Sequence, residues 1–298
     1  MTAIRMDPWH QEDVEAWRRV LTDWREGDAL VWTMFWHSDS AYFESAARFY
    51  QECGIPLQSI WVLGNTLHEV EAARSVGFSS SWVNHNAWLD ERVFTPRNLP
   101  RRHRAVMVCQ LAPYKRIHLA CNVRGLIIVC SALFHGHQPE SLHAFEDVKV
   151  TGGLSPQGVA DIINQSGVGL ILSAEEGACR ASSEYLLCGI PVVSTPSLGG
   201  RDVFYTPRNS RIVPPDPQAI AQAVDTFLAD PPDPRAIREH HLHQSREFRQ
   251  RFATEVLEGI YHQWGIQRNA TADLATIQRP NMLDFHHESS AQRLIAGR

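Results

Sequence analysis

Short apolar runs of strand length alternate with segments of helical period along most of the chain, and this alternation limits the fold more than any other feature. In the first part the apolar runs are ALVWTMFW (29–36), SIWVLGN (59–65) and SSWVN (80–84). The segments between them place apolar residues three and four positions apart and end at Gly54 and Gly77, as amphipathic helices do. Strands that alternate with helices form parallel sheets covered by helices. The sequence therefore predicts an α/β fold.

The alternation breaks off in the turn-rich stretch FTPRNLPRRHR and then starts again, which predicts a second sheet. A chain of 298 residues is long enough for two modest domains. The second series of strands is predicted at 105–111, 126–133, 147–151, 168–173 and 191–195. The predicted organisation is an abbreviated first domain at 1–98, a second domain at 99–232, a helical segment at 233–268 that packs back toward the first domain, and a tail at 269–298.

The composition excludes several classes of partner. A net charge of −5 provides no overall positive field for a phosphate backbone, so we expect no nucleic acid partner. The longest apolar run, 125–134, is shorter than the roughly 20 residues of a membrane-spanning helix. The N-terminus is polar and acidic, unlike a signal peptide. We therefore expect a cytoplasmic protein, and peripheral contact with a membrane surface stays open.

Cysteine and histidine spacing argues against a disulfide framework and against a metal site. The six cysteines include no C-x-x-C pair, which favours reduced thiols. His240, His241 and His243 lie close together but lack further ligands at the spacing that zinc requires. We therefore expect no metal ion and place these three histidines on a solvated helix face.

Tryptophan is distributed unevenly along the chain. Eight of the nine tryptophans lie between Trp9 and Trp88. Core packing or a protein interface is the usual reason for such aromatic residues, so an oligomer formed through this region stays open. A platform on which a sugar stacks would need an exposed ring. Trp88, which lies near His85, is our candidate for that role.

Ligands of parallel sheets bind beyond the carboxyl ends of the strands, and the most informative loop there lies in SAEEGACRASSEYLLCGIPVVSTPSLGG (173–200). A strand that ends at Ser173 is followed by a carboxylate at Glu176. Gly177 allows close approach of the backbone to a ligand. A helix predicted at 178–188 presents free N–H groups, which favour an anion.

A second carboxylate, Glu184, follows Glu176 after seven intervening residues. If one helix carried both residues, they would lie about 12 Å apart along its axis. That separation is too long for two acids that flank one bond. It suits a single long ligand that is held at two points, with a diphosphate over the helix end.

The stretch 173–200 resembles the donor-binding motif of the retaining nucleotide-sugar glycosyltransferases of the GT-B fold, group 1 type. The signature of that motif is a glutamate, seven residues, a second glutamate and a small-residue turn before Pro-Val-Val. Three further segments resemble the family in the correct order: 83–96 its interdomain linker, 105–120 its lysine-containing phosphate loop, and 214–230 the segment after the nucleotide. The resemblance implies two Rossmann-like α/β domains with parallel sheets facing a cleft, the first domain being abbreviated.

The resemblance also implies roles for individual residues. Glu176 would bind hydroxyls of the donor sugar, Glu184 would bind the ribose hydroxyls, and Lys115 would neutralise the diphosphate leaving group. The implied catalytic residues are Glu176, Lys115, His85 and His37. The implied donor-binding residues are Gln110, Lys115, Arg116, Thr151, Gly152, Gly153, Leu154, Glu176, Gly177, Ala178, Cys179 and Glu184. No cofactor or metal is implied, because the nucleotide-diphosphate sugar is itself the donor substrate.

His37 and His85 each follow a predicted strand and could face the donor sugar across the cleft. A capping or core histidine is the alternative for either. The implied function is transfer of a sugar, with retained anomeric configuration, to a carbohydrate, lipid-linked or small-molecule acceptor. Two alternatives stay open: a sugar-nucleotide epimerase or hydrolase on a related fold, and a non-catalytic binding or scaffold protein derived from a glycosyltransferase.

Overall fold

The computed structural model describes residues 2–4, 11–130, 142–143 and 145–277. The chain forms two compact units, one of residues 1–88 with 245–298 and one of residues 89–244. The boundary between the units at residues 88 and 89 lies before the predicted domain boundary at residue 98. The segment between these positions belongs to the second unit because it is hydrogen-bonded to that unit. The side chain of Asn164 donates to the Thr95 carbonyl at 3.0 Å and accepts from the Arg97 N–H at 2.7 Å.

A parallel sheet of four strands forms the centre of the first unit, in the order β1-β2-β3-β4. Its strands are β1 (Thr2–Ile4), β2 (Leu30–Thr33), β3 (Ile60–Gly64) and β4 (Ser79–Trp82), and its first helices are α1 (Gln11–Leu21), α2 (Ser40–Glu52) and α3 (Leu67–Ser75). The three predicted strands and their parallel arrangement are confirmed. The sequence did not predict β1, because three residues are too few to show a period.

An aromatic cluster packs between this sheet and its helices. Trp32 on β2 is fully buried, and the rings of Phe43, Tyr50 and Phe78 meet it at steep angles with centroids within 6.1 Å. Such edge-to-face contacts add to the large apolar area that each ring buries. Core packing therefore explains this part of the tryptophan-rich region.

Trp88 is not an exposed platform. Its side chain is only 8% exposed, and its ring meets the ring of Phe252 edge-on at 5.5 Å between centroids. The prediction for Trp88 is therefore wrong. Trp36, which follows β2, is instead 40% exposed.

The second unit contains a six-stranded sheet in the order β10-β9-β8-β5-β6-β7, with every neighbouring pair parallel. Its strands are β5 (His103–Val108), β6 (Leu126–Cys130), β7 (Val148–Gly152), β8 (Ser166–Ile171), β9 (Val192–Ser194) and β10 (Ser210–Ile212). Its helices are α4 (Pro156–Asn164), α5 (Arg180–Leu187) and α6 (Pro217–Ala229). The first sheet is the smaller of the two, as the sequence predicted.

The C-terminal segment is not one uninterrupted helix. It consists of α7 (Pro234–Arg251), a π-helical stretch (Phe252–Leu257), α8 (Glu258–Gln263) and α9 (Ala270–Ile277), the last of which lies within the predicted tail. On α7 the predicted solvated face is wrong for His241, which is buried and stacks on Phe204 with ring centroids 4.3 Å apart. Among the described helices, none combines the length and apolar character that crossing a bilayer requires.

Candidate functional site

The second sheet has a topological switch point between β5 and β8. These strands are neighbours in the sheet although β6 and β7 lie between them in the sequence, because the chain adds β6 and β7 on one side of β5 and then returns to the other side. Ligands of open parallel sheets bind beyond the carboxyl ends of the strands at such a point. The loop after β5 carries Lys115, and the loop after β8 carries Glu176.

The side chains of Lys115 and Glu176 form a buried ion pair at this switch point. The Lys115 Nζ donates to Glu176 Oε1, and the two side chains are only 15% and 6% exposed. Burial by itself would raise the pKa of Glu176, but the positive charge of Lys115, together with hydrogen bonds from Cys179, Lys115 and Ser173, outweighs burial and lowers the pKa. Burial likewise opposes the charged form of Lys115, yet nearby negative charge raises its pKa. Both groups are therefore ionised at neutral pH.

The loop after β8 is held by the loop after β9. The Glu176 N–H donates to the Leu198 carbonyl at 3.2 Å, and the Gly200 N–H donates to the Gly177 carbonyl at 3.1 Å. Between them Gly199 adopts φ +105°, where a Cβ would lie 1.8 Å from the Glu176 carbonyl oxygen. Only glycine fits there. This contact fixes the backbone that carries Glu176.

The helix after this loop begins later than predicted. α5 starts at Arg180, and Cys179 before it has a left-handed backbone with φ +49°. Glu176 therefore lies in the loop rather than on the helix, and the expectation that one helix axis separates it from Glu184 is wrong. Gly177 and Ala178 also belong to the loop. Positive φ is rare outside glycine and is concentrated at functional sites.

Glu184 on α5 is a buried residue whose carboxylate accepts no hydrogen bond from the residues that the structure describes. The residue is 8% exposed, and its carboxylate oxygens are not among the described side-chain atoms that are shut off from solvent without a partner. Burial raises its pKa to about 6, against the opposing effect of the Arg180 charge. Buried carboxylates are normally paired or hydrogen-bonded, and one that is not suggests a functional site.

We expect Glu184→Gln to gain stability relative to the wild type as the pH rises from acid to neutral. The folded pKa of about 6 lies above the ordinary value of 4.5, so the folded state binds more protons between these values and wild-type stability falls as the pH rises through them. The Glu184→Gln variant has no carboxyl group to ionise at this position, so its stability does not fall for this reason. Its stability relative to the wild type should therefore increase by about 2 kcal/mol between about pH 4 and pH 7.

Urea denaturation at a series of pH values measures this difference. The exposed Glu239 on α7 offers a matched control, since Glu239→Gln makes the same substitution at a solvated carboxylate. If Glu184→Gln showed the same pH profile as Glu239→Gln, the effect of burial on Glu184 would be contradicted.

Two arginine side chains donate hydrogen bonds to residues that follow β8 and β9 at the switch point. Arg116, whose backbone is left-handed, donates from Nε to the Leu172 carbonyl at 2.6 Å and from its second amino group to the Thr195 hydroxyl at 2.7 Å. Arg201 is fully buried and donates to the Ser173 hydroxyl and the Thr195 carbonyl, both at 2.6 Å. Sequence reasoning missed Arg201, because nothing local marks a buried arginine. Donor binding by Arg116 stays a prediction.

The remaining residues of the predicted donor site lie at or after the carboxyl ends of strands in the same sheet. Gln110 accepts a hydrogen bond from the Tyr114 hydroxyl at 3.0 Å in the loop after β5. Thr151 and Gly152 end the edge strand β7, and Gly153 and Leu154 follow it as exposed residues. Their contact with a nucleotide stays a prediction, as does donation by the amides of residues 177–179.

The two predicted histidines lie at the carboxyl ends of strands in the first unit. His85 is buried, and its Nδ1 lies 2.9 Å from the Met34 carbonyl. A carbonyl only accepts, so Nδ1 carries the proton. His37 follows β2, and its Nδ1 lies 3.8 Å from Oε1 of Glu69. Contact of either histidine with a donor sugar stays a prediction.

No group of histidine, cysteine, aspartate and glutamate side chains in the described part of the chain has the arrangement of a metal site. The six cysteines are all free. The chemistry that the described residues offer at the switch point is therefore that of one buried cation, its carboxylate partner and a second, unpaired carboxylate.

Comparisons with known proteins agree with this fold. Residues 136–243 match the family model for glycosyl transferases, group 1. No curated protein matches the sequence. The crystal structure of HepE from Anabaena in complex with UDP and glucose is similar at 16% identity and a TM-score of 0.61, over 88% of this chain and 76% of that one.

Two further structures are similar at comparable levels. Sucrose-phosphate synthase from Thermosynechococcus elongatus is 17% identical with a TM-score of 0.56, over 88% of this chain and 72% of its own. AviGT4, a glycosyltransferase involved in avilamycin A biosynthesis, is 14% identical with a TM-score of 0.54, over 81% and 70%. The chain thus has the α/β fold with two parallel sheets of GT-B glycosyltransferases, and its residues 136–243 match the group 1 glycosyl transferases.

Proposed function

We propose that this protein transfers a sugar from a nucleoside diphosphate donor to an acceptor hydroxyl, with retention of the anomeric configuration. The observation that carries the proposal is the unpaired, buried carboxylate of Glu184, which lies on the helix that leaves the switch-point loop. The carboxylate accepts no hydrogen bond from the described residues, and its oxygens are not among the side-chain atoms shut off from solvent, so a ligand can reach them. Two adjacent ribose hydroxyls would donate to it.

The ion pair supports a diphosphate as the neighbouring part of the ligand. Lys115 has three N–H donors, and its only acceptor in the described part of the chain is Glu176. The ammonium group can therefore still donate to phosphate oxygens. Positive charge held in a site of low water content stabilises a leaving diphosphate more strongly than it would in bulk water.

The comparisons point to the same donor class. HepE was solved with UDP and glucose, and the group 1 match includes both Glu176 and Glu184. In this proposal Glu176 contacts the transferred sugar, while Lys115 binds the diphosphate. Retention of configuration comes from the family resemblance, and the anomer of the product, read by NMR, tests it.

We expect Glu184→Ala to weaken nucleoside diphosphate binding by roughly tenfold to a hundredfold, the range for losing hydrogen bonds to a charged group. Calorimetric titration with UDP, GDP and ADP measures the affinity. Glu239→Ala on the exposed face of α7 is the matched control and should bind as the wild type does. Equal affinity of wild type and Glu184→Ala for whichever nucleotide binds would refute the ribose role.

The products formed from a panel of nucleotide sugars separate the proposal from its alternatives. A transferase makes a new glycoside only when an acceptor is present, a hydrolase releases free sugar, and an epimerase changes the sugar while it stays on the nucleotide. A scaffold protein would bind without turnover. Release of the nucleoside diphosphate that depends on an added acceptor is the expected result.

A further inference from the structure

Glu69 in the first unit is a buried carboxylate that uses only one of its oxygens. Its Oε2 accepts from the N–H groups of Asn65 and Thr66 at 2.8 and 2.9 Å and from the Thr66 hydroxyl at 3.2 Å. These bonds form the capping box at the start of α3. The other oxygen, Oε1, is buried without a hydrogen-bond partner among the described residues, although the side chain is fully inaccessible.

His37 presents a complementary unpartnered atom to this oxygen. Its Nδ1 is also buried without a hydrogen-bond partner in the described part of the chain, and it lies 3.8 Å from Glu69 Oε1. A shift of about 0.6 Å would bring the two atoms to hydrogen-bond distance. The His37 side chain is 13% exposed, so another part of the ring reaches solvent while Nδ1 faces inward.

The surroundings of His37 suit a ligand that carries hydroxyl groups. The preceding residue, Trp36, has the exposed ring that stacking on a sugar requires. The ring of His68 lies parallel to that of His37, with centroids 6.4 Å apart. Glu69 and His68 are thus the titratable groups that α3 presents to His37.

The protonation of the two groups follows from their chemistry. An ionised carboxylate only accepts hydrogen bonds, so a bond between Glu69 and His37 requires the proton on Nδ1. In a neutral ring the other nitrogen, Nε2, then has a free lone pair. Burial raises the pKa of Glu69 above its ordinary value, and the three donors to Oε2 and the N-terminus of α3 oppose this rise.

We propose that Glu69 is a positioning residue that holds His37 in the Nδ1–H tautomer, so that Nε2 accepts a hydrogen bond from a substrate hydroxyl. The identification of that hydroxyl as part of a donor or an acceptor of sugar transfer rests on the proposed function. The tautomer of His37 does not depend on the proposed function.

Glu69→Gln tests this role without removing the helix cap. Glutamine also serves in a capping box, and its carbonyl oxygen must face the N–H groups of Asn65 and Thr66. Its NH₂ group then faces His37 Nδ1 as a donor, which requires Nδ1 to be unprotonated. The proton of the neutral ring should therefore move to Nε2.

Two-dimensional ¹H–¹⁵N NMR of the full chain at about pH 8.5, where histidine is neutral, distinguishes the two tautomers. His37→Asn identifies the signals of His37. We expect Nδ1–H in the wild type and Nε2–H in Glu69→Gln. Glu71→Gln, an exposed change on the same helix, should keep the wild-type tautomer. Nε2–H in the wild type, or the same tautomer in all three proteins, would overturn the proposal.

Turnover adds a readout that a purely structural role would not give. We expect Glu69→Gln to lower kcat by roughly tenfold to a hundredfold, as the loss of the partner that orients a metal-binding histidine does. Its thermal unfolding and its nucleotide affinity should stay close to those of Glu71→Gln. A fall in kcat that only accompanies a fall in stability would contradict the positioning role. Failure of the proposed function would appear separately, as unchanged nucleotide affinity in Glu184→Ala.

Discussion

Gly199→Ala is expected to abolish nucleotide binding while the first unit stays folded. The new Cβ would lie 1.8 Å from the Glu176 carbonyl oxygen and 2.7 Å from that of Gly177, at a φ of +105° that side chains with a Cβ rarely adopt. Backbone strain and overpacking together cost roughly 2 to 5 kcal/mol. The loop that carries Glu176 must move to relieve them, and this separates Glu176 from Lys115.

Gly54→Ala is the matched control for this change. Gly54 also has a positive φ, +74°, but a Cβ there would meet no atom within 4 Å. Gly54→Ala should therefore lower the free energy of unfolding by the backbone strain alone, roughly 1 to 2 kcal/mol. Urea denaturation and calorimetric titration with the nucleotide compare the two variants. Wild-type affinity in Gly199→Ala would show that the close approach of the two loops is not needed for binding.

A double-mutant cycle on Lys115 and Glu176 is expected to give a large coupling energy. Lys115→Met leaves a buried carboxylate without its partner, and breaking a buried ion pair from one side costs roughly 3 to 5 kcal/mol. Glu176→Gln removes the partner from a buried ammonium group. The double variant leaves neither charge buried, so its loss of stability should be smaller than the sum of the single losses by more than about 1 kcal/mol.

The exposed pair Arg104–Asp225 in the same unit provides the control cycle. Exposed pairs contribute less than about 1 kcal/mol, so its coupling energy should be small. All three variants of the buried pair should lose turnover, because each removes a charge from the site. Additive losses for Lys115 and Glu176 would mean that the two groups do not depend on each other for burial.

Much of the fold could be predicted because the signal is local. Apolar runs marked β2 to β9, glycines marked helix ends, and alternation of strands with helices indicated parallel sheets. The strands β1 and β10 were missed because neither short segment lies in an apolar run like the one that marked β9. The start of α5 was misplaced because Cys179 takes a left-handed backbone that its side chain does not indicate.

The candidate site could be predicted only in part, because its contacts join residues that are far apart in the sequence. The motif identified Glu176, Glu184 and Lys115 as candidates, but it did not say that two of them would neutralise each other. Arg201 gave no signal, since its burial depends on the Ser173 hydroxyl and the Thr195 carbonyl, which come from other parts of the chain. Glu69 gave no signal either, since the burial of its second oxygen beside His37 depends on how β2 and α3 pack.

The sequence by itself determined the order of strands and helices and the residue types available for binding an anionic, hydroxyl-bearing ligand. The tertiary structure decided which of those residues meet. Lys115 and Glu176 are 61 residues apart and pair only because β8 returns to lie beside β5. It also decided that Trp36 rather than Trp88 is exposed. Local patterns record whether a residue is apolar or polar, whereas the pairing of distant strands determines what it contacts.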